Sequence, residues 1–72
     1  MKIRYDEEAD VIYMRFREGK IAECDEIRNG LIVDYDAKGK PLAIEILNAK
    51  EIILNKPELE VDFPPTVKLH SV

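Results

Sequence analysis

Three carboxylates are the residues of this chain whose types and spacing could do chemistry. Asp34 and Asp36 are two positions apart, so the alternation of a β-strand sends both side chains to one face, and Glu45 follows on the next predicted strand. A general acid and base pair needs carboxyl groups whose environments separate their pKa values. The alternative is charge pairing of these carboxylates with Arg4 and Arg15, and the residue pattern favours this structural interpretation.

A second acidic group precedes the second predicted strand. Asp6, Glu7, Glu8 and Asp10 offer the oxygen ligands that divalent cations prefer. Their spacing differs from that of a calcium-binding loop, in which carboxylates alternate and a glycine follows. The segment is therefore interpreted as an acidic turn facing water, and no metal site is predicted.

The cysteine and the tyrosines are the remaining candidates. Cys24 has no histidine near it in sequence, since the single histidine is His70 in the tail, and a Cys–His nucleophile needs both groups held in one scaffold. Tyr5, Tyr13 and Tyr35 could stack on nucleobases, but basic residues arranged along a nucleic-acid backbone are missing from the pattern. The tyrosines are predicted to pack in the core or an interface. No catalytic, cofactor-binding or metal-binding residue is assigned.

Composition limits the class of protein. The chain has 72 residues, 46% of them hydrophobic, a net charge of −4 and one cysteine, which indicates one small domain without an internal disulfide. The acidic balance argues against nucleic-acid binding. The sequence contains no apolar run of membrane-spanning length and no signal-peptide pattern, so a cytoplasmic location is expected. Association into a homodimer or higher homo-oligomer would stabilise so small a domain.

Hydrophobic alternation predicts the elements that must position these side chains. Asn29-Gly30 is a strong two-residue hairpin signal, and Gly39 marks a second turn, which Asp36 can initiate. The predicted fold is mainly β (α+β), a small antiparallel β-meander of about five strands. The predicted strands cover residues 2–5, 11–16, 21–28, 31–35 and 41–47.

The pattern changes after residue 47. Asn48 can cap a short helix that ends at Ile53 or Leu54, with Glu51 completing a capping box. Residues 55–72 are predicted to be an extended C-terminal tail. Within this tail Leu59, Val61 and Phe63 alternate with acidic residues, as in an extra or exchanged strand. The predicted organisation is therefore a β domain over residues 1–54 and a tail over residues 55–72.

One face of the predicted sheet is continuous and apolar. A single sheet with one short helix offers little to cover such a face, and apolar surface left in water favours association. Either the helix and tail fold over the face, or a second copy of the chain covers it. The residues predicted to share this face are Ile3, Tyr5, Ile12, Met14, Phe16, Leu31, Val33, Tyr35, Leu42, Ile44 and Ile46.

Three segments resemble a known family. Residues 5–13, YDEEADVIY, resemble the opening of the prokaryotic small-protein family catalogued as domain of unknown function 2283; residues 30–36 with Gly39, and residues 44–49, resemble its second and third signatures. The resemblance covers residues 1 to 54 and implies a small mostly-β domain of unassigned activity. It also implies that some members stand beside a small toxin of the ribonuclease type. It transfers no catalytic residue.

Three functions are consistent with the sequence. The favoured one is a non-catalytic, self-associating protein-interaction module, because the apolar surface exceeds what the chain can cover. The second is an antitoxin-like inhibitor of a small basic ribonuclease-type toxin, whose positive charge the acidic balance would complement. The third is a hydrolase that uses Asp34, Asp36 and Glu45 at a subunit interface.

Overall fold

Five antiparallel strands form one sheet in the computed structural model, which describes residues 1–53, 58, 60 and 62. This architecture confirms the predicted mainly-β fold with a short helix after residue 47. The elements are β1 (Lys2–Asp6), β2 (Val11–Arg15), β3 (Glu23–Arg28), β4 (Leu31–Tyr35), β5 (Pro41–Leu47) and α1 (Lys50–Ile53).

The strand order differs from that of a simple meander. The order across the sheet is β1-β2-β5-β4-β3, so β5 lies between β2 and β4, and β3 forms the far edge. The connection after β2 therefore crosses one end of the sheet: Phe16 N–H donates to the carbonyl of Leu42 at 2.8 Å, and Ala22 N–H donates to the carbonyl of Tyr35 at 2.8 Å. Strands β2 to β5 thus form a Greek key, a consequence of that long polar connection.

Strand pairing separates an apolar face from a charged face. On the apolar face, one row across the sheet is Ile3, Met14, Ile44 and Val33, and the next is Tyr5, Ile12, Ile46 and Leu31. The corresponding rows of the charged face are Lys2, Arg15, Ala43, Asp34 and Cys24, then Arg4, Tyr13, Glu45, Ile32 and Glu26. The predicted apolar face is confirmed for these eight residues, because a period of two fixes the face of each side chain.

The buried core is small. Among the described residues the buried hydrophobic side chains are Val33, Leu42, Ala43 and Ala49. Two of the four are alanines, which bury little area. Ile3 and Tyr5 on the apolar face each remain 39% exposed. Most of the apolar face is thus only half-buried within one copy of the described chain.

Helix α1 is capped by a residue far away in sequence. The Lys50 N–H donates to Asp10 Oδ1 at 3.0 Å, and the Ala49 N–H donates to the Asp10 carbonyl at 3.1 Å. Asn48 was the predicted cap, but it has a φ of 53°, and its carbonyl accepts from the N–H of Glu51. The capping role passes to Asp10 because the turn between β1 and β2 lies beside the start of the helix.

The tail predictions lie outside the described residues. The proposed extra strand needs Leu59, Val61 and Phe63, none of which is described. The acidic residues before and between them, Glu58, Glu60 and Asp62, are exposed.

Candidate functional site

A buried carboxyl on the charged face is the most unusual feature of the described structure. Asp34 lies in the middle of β4 and is 1% exposed, whereas carboxylates are rarely buried without a partner. Neither Oδ1 nor Oδ2 accepts a hydrogen bond of normal geometry from any described residue. Burying an unpartnered polar group costs free energy, and such groups in folded proteins call for a specific explanation.

Glu45 lies next to Asp34 on the same face. Glu45 pairs with Ile32, two residues from Asp34, on the adjacent strands β5 and β4. Partial burial contributes most to raising the pKa of the Glu45 carboxyl. Hydrogen bonding of its protonated form with the neighbouring Asp34 side chain raises the pKa further, and the negative charge of Asp34 adds a smaller contribution. The structure therefore brings together Asp34 and Glu45, two of the three candidate carboxylates.

Cys24 is the third member of this group, and sequence reasoning missed it. Cys24 opposes Asp34 directly, on the edge strand β3, and its thiol is exposed. Interaction with Asp34 raises the pKa of the Cys24 thiol above its ordinary value of 9.0, with smaller contributions from desolvation and from Glu45. The Cys24, Asp34 and Glu45 side chains are called the carboxyl pocket below.

The predicted pairing of these carboxylates with Arg4 and Arg15 is wrong for the described residues. The Arg4 guanidinium lies over the Tyr13 ring, 5.8 Å from its centroid. Arg15 donates to the Tyr13 hydroxyl at 3.1 Å, to the Arg17 carbonyl at 3.1 Å and to the Gly19 carbonyl. The register explains the difference, because Tyr13 separates Arg4 from Glu45 along the row and Ala43 separates Arg15 from Asp34.

Asp36 does not join the pocket. Strand β4 ends at Tyr35, and Asp36 Oδ1 accepts from the N–H groups of Lys38 and Lys40, both at 2.9 Å. Its Oδ2 forms an ion pair with Arg17 at 2.6 Å. These donors hold the pKa of Asp36 below its ordinary value of 3.8, the bond from Lys40 contributing most. The turn-initiating role of Asp36 is confirmed, and the hypothesis of a three-carboxylate hydrolase loses one of its members.

The acidic turn has a structural role. Tyr5 donates its hydroxyl to Asp10 Oδ1 at 2.7 Å, which raises the pKa of Tyr5 to about 12. Asp6 Oδ1 accepts from the Ala9 N–H at 3.1 Å. Asp10, with a φ of 57°, thus joins β1 to the start of α1. Within residues 1–53, 58, 60 and 62, no group of three His, Cys, Asp or Glu side chains is arranged to hold a metal ion.

The three tyrosines of the candidate list have separate surroundings. Tyr5 is tied to Asp10, and Tyr13 lies beneath Arg4 and accepts from Arg15. Tyr35 belongs to the apolar face and lines a surface depression at the β3 edge. The structure therefore does not bring them together as a stacking platform.

A chemical consequence of the carboxyl pocket can be measured at Cys24. Because Asp34 raises the pKa of the thiol, we expect Cys24 to react more slowly with iodoacetamide near neutral pH than an unperturbed exposed cysteine does. Asp34→Asn is expected to speed the reaction by increasing the thiolate fraction. The rate of alkylation as a function of pH, followed by mass spectrometry, checks this.

Asp25→Asn is the matched control for this measurement. Asp25 is the next residue of β3, pairs with Val33 and lies on the apolar face, so its charge points away from the thiol. An equal acceleration by Asp25→Asn would mean that general negative charge, not Asp34, sets the reactivity of Cys24.

Comparison with known proteins gives one match. No curated protein and no solved structure matches the chain. None of the helices in the described part of the chain is long and apolar enough to span a membrane. The sequence profile described as "Protein of unknown function (DUF2283)" matches residues 2–50, which is more than half of the chain. The matched range contains all five strands and the Tyr5–Asp10 contact, so the resemblance in sequence extends over the whole sheet. The chain therefore belongs to the DUF2283 family of proteins of unknown function.

Proposed function

We propose that this chain is a non-catalytic, self-associating interaction module whose apolar sheet face packs against the same face of a second copy. The observation that carries the proposal is the half-exposed apolar face. Its two central rows run without a charged residue from β1 to β4. Uncovered apolar patches of this kind mark interaction sites.

A second copy is an appropriate occupant because of the size of the face. The four strands of this face, taken as five residues each, spaced about 4.8 Å apart with a rise of about 3.3 Å per residue, give a flat area of roughly 300 Å² per copy. Side-chain relief increases this area, and Ile52 of α1, which is 62% exposed, lies beside Leu31 and Ile46 at the border of the face. The expected interface is at the small end of the range for specific complexes, so the dimer should dissociate on dilution.

The state of assembly is tested with Ile3→Glu. Ile3 is 39% exposed within one copy, so a monomer tolerates the change, whereas a carboxylate inside an apolar interface loses its hydration. We expect wild type to pass from dimer to monomer as concentration falls, and Ile3→Glu to raise the dissociation constant by about tenfold or more. Sedimentation velocity over a concentration series measures both.

Lys2→Gln is the matched control. It makes the same change of −1 in net charge on the neighbouring residue of β1, but on the charged face. It should leave the dissociation constant unchanged. A full-length chain that is monomeric at every concentration would overturn the proposal and would favour a cover supplied by the chain's own residues 54–72. A complex with a small basic protein that competes with self-association would instead favour the antitoxin-like alternative.

A further inference from the structure

We propose that the carboxyl pocket binds the guanidinium group of an arginine presented by an extended basic segment of a partner polypeptide, which pairs with the edge of β3 that no other described strand occupies. This site is on the charged face, opposite the surface proposed for self-association, and does not depend on that surface.

The first argument is the missing partner of Asp34. Its side chain is 1% exposed, and neither of its oxygens accepts a hydrogen bond of normal geometry from a described residue. The Cys24 thiol and the Glu45 carboxyl lie close enough to interact with it, but no charged donor among the described residues does. Glu45 beside it adds further acceptor oxygens. Two carboxyls with few donors form an arrangement that a cation stabilises, because it removes their mutual repulsion and satisfies their lone pairs.

The second argument is that the nearby cations of the charged face are already engaged. Arg4 lies over the Tyr13 ring, and Arg15 donates to Tyr13 and to two backbone carbonyls of the connection after β2. Arg17 is paired with Asp36. One strand lies between Arg15 and Asp34, and one lies between Arg4 and Glu45. Among the described residues neither arginine forms an ion pair with these carboxylates.

The third argument selects a guanidinium over a metal ion. The described residues hold no group of three ligating side chains with the arrangement that a metal needs. A guanidinium presents five N–H donors in a planar fork and bridges neighbouring carboxylates with paired hydrogen bonds. It therefore fits a pocket with two carboxyls and one thiol better than a point charge does.

The fourth argument is the position of the pocket beside the outer edge of β3. Among the strands that the structure describes, β3 pairs with β4 alone, and each of its six residues is exposed, so its outer backbone groups can pair with an added strand. A strand added to β3 would lie about 4.8 Å beyond it and about 10 Å from β4. An arginine side chain spans most of that distance. Cys24 lies between the added strand and Asp34 in the register, so the guanidinium reaches the nearly inaccessible Asp34 oxygens by displacing that one small side chain.

The charge of the edge selects a basic partner. Three of the six residues of β3, namely Glu23, Asp25 and Glu26, are acidic. Glu23 and Asp25 also line a surface depression of about 430 Å³ with Tyr35, where a neighbouring side chain of the added strand can lie. Acidic residues on an edge strand also discourage pairing with a second acidic copy, so the complementary sequence is a basic one.

The experiment titrates the full-length, ¹³C,¹⁵N-labelled chain with an acetylated and amidated Arg-Val hexapeptide of alternating sequence. We expect saturable shifts of the β3 amides and of the Asp34 and Glu45 side-chain carboxyl signals. Asp34→Asn and Glu45→Gln are each expected to weaken binding by about tenfold or more, since each removes a charge that faces the guanidinium. The Lys-Val peptide should bind more weakly than the Arg-Val peptide, and spermidine should leave the β3 amides unshifted.

Glu7→Gln is the matched control, because it removes the same charge from the exposed turn between β1 and β2. It should leave the affinity unchanged. The proposal is overturned if no saturable binding occurs, if the shifts map away from β3, or if all three variants weaken binding equally, which would indicate general charge attraction. Thermal unfolding of each variant shows whether it is folded, and Glu45→Gln keeps the test decisive even if Asp34→Asn does not fold.

Discussion

Leu42→Ala is expected to lower the free energy of unfolding by about 2–5 kcal/mol, the usual cost of deleting three buried carbons and leaving a cavity. Leu42 has no exposed surface. It packs directly against the connection after β2: a Cβ added to Gly19 would lie 2.9 Å from Leu42 Cδ2. A domain of this size has little stability in reserve, so the variant should be largely unfolded at 37 °C.

Urea denaturation followed by circular dichroism measures the effect, and Ile27→Ala is the control. Ile27 is also a large aliphatic residue of the sheet, but it is 49% exposed and lies at the bulge of β3. Its replacement should change stability by less than about 1 kcal/mol. Similar losses in the two variants would contradict the assignment of Leu42 as the centre of the core.

Glu45→Gln is expected to raise stability at neutral pH and to remove a fall in stability with rising pH. The pKa of Glu45 is higher in the folded chain than its ordinary value of 4.5. The folded state therefore holds this proton more tightly than the unfolded state does. The resulting stabilisation is complete below pH 4.5 and is lost as the pH rises through the folded pKa. Because the glutamine side chain does not titrate, the free energy of unfolding of the Glu45→Gln variant does not fall as the pH rises through this range.

Asp34→Asn is expected to raise the free energy of unfolding at neutral pH by on the order of 1–3 kcal/mol, because it replaces a buried carboxyl without a well-aligned hydrogen-bond donor by a neutral group of similar shape. Free energies of unfolding from urea titrations between pH 3 and pH 8 test both variants. If either variant is less stable than wild type at pH 7, the pocket contributes to stability in a way that its described contacts do not explain.

Asp36→Asn distinguishes the fall in stability with rising pH, which Glu45 causes, from the loss of stability at acid pH. The pKa of Asp36 is lowered by its backbone donors and by Arg17, so its contribution is present above pH 3.8 and is lost as the pH falls through its folded pKa. In the Asp36→Asn variant the free energy of unfolding should no longer fall at acid pH through this group. It should still fall at higher pH because of Glu45. A variant that loses both would show that the two carboxyls titrate together.

Local pattern was sufficient to predict most of the sheet. Strands β4 and β5 coincide with their predicted ranges, since clear alternation is bounded there by Asn29-Gly30 and by the turn with Gly39. The faces were also predictable: a period of two commits every second side chain to the apolar side, and burial penalises a slip of register. Strand β3 begins two residues later than predicted because its apolar positions are scattered.

The carboxyl pocket was only half predictable. That Asp34 and Glu45 share a face follows from alternation in two neighbouring strands. The position of Cys24 does not, because a regular two-residue hairpin at Asn29-Gly30 would set Asp25 opposite Asp34. A bulge between Glu26 and Arg28 shifts the register and brings Cys24 there instead. The polar pattern of β3 gave no signal of that bulge.

Three features could be predicted from the residue pattern alone, because they depend on contacts between residues close along the chain: the composition of the strands, the two turns and the division of the sheet into apolar and charged faces. The strand order, the capping of α1 by Asp10 and the separation of Asp34 from Arg4 and Arg15 could not be predicted in this way. Each of these depends on which strand lies beside which. That choice is made by packing between distant segments, and above all by the insertion of β5 between β2 and β4.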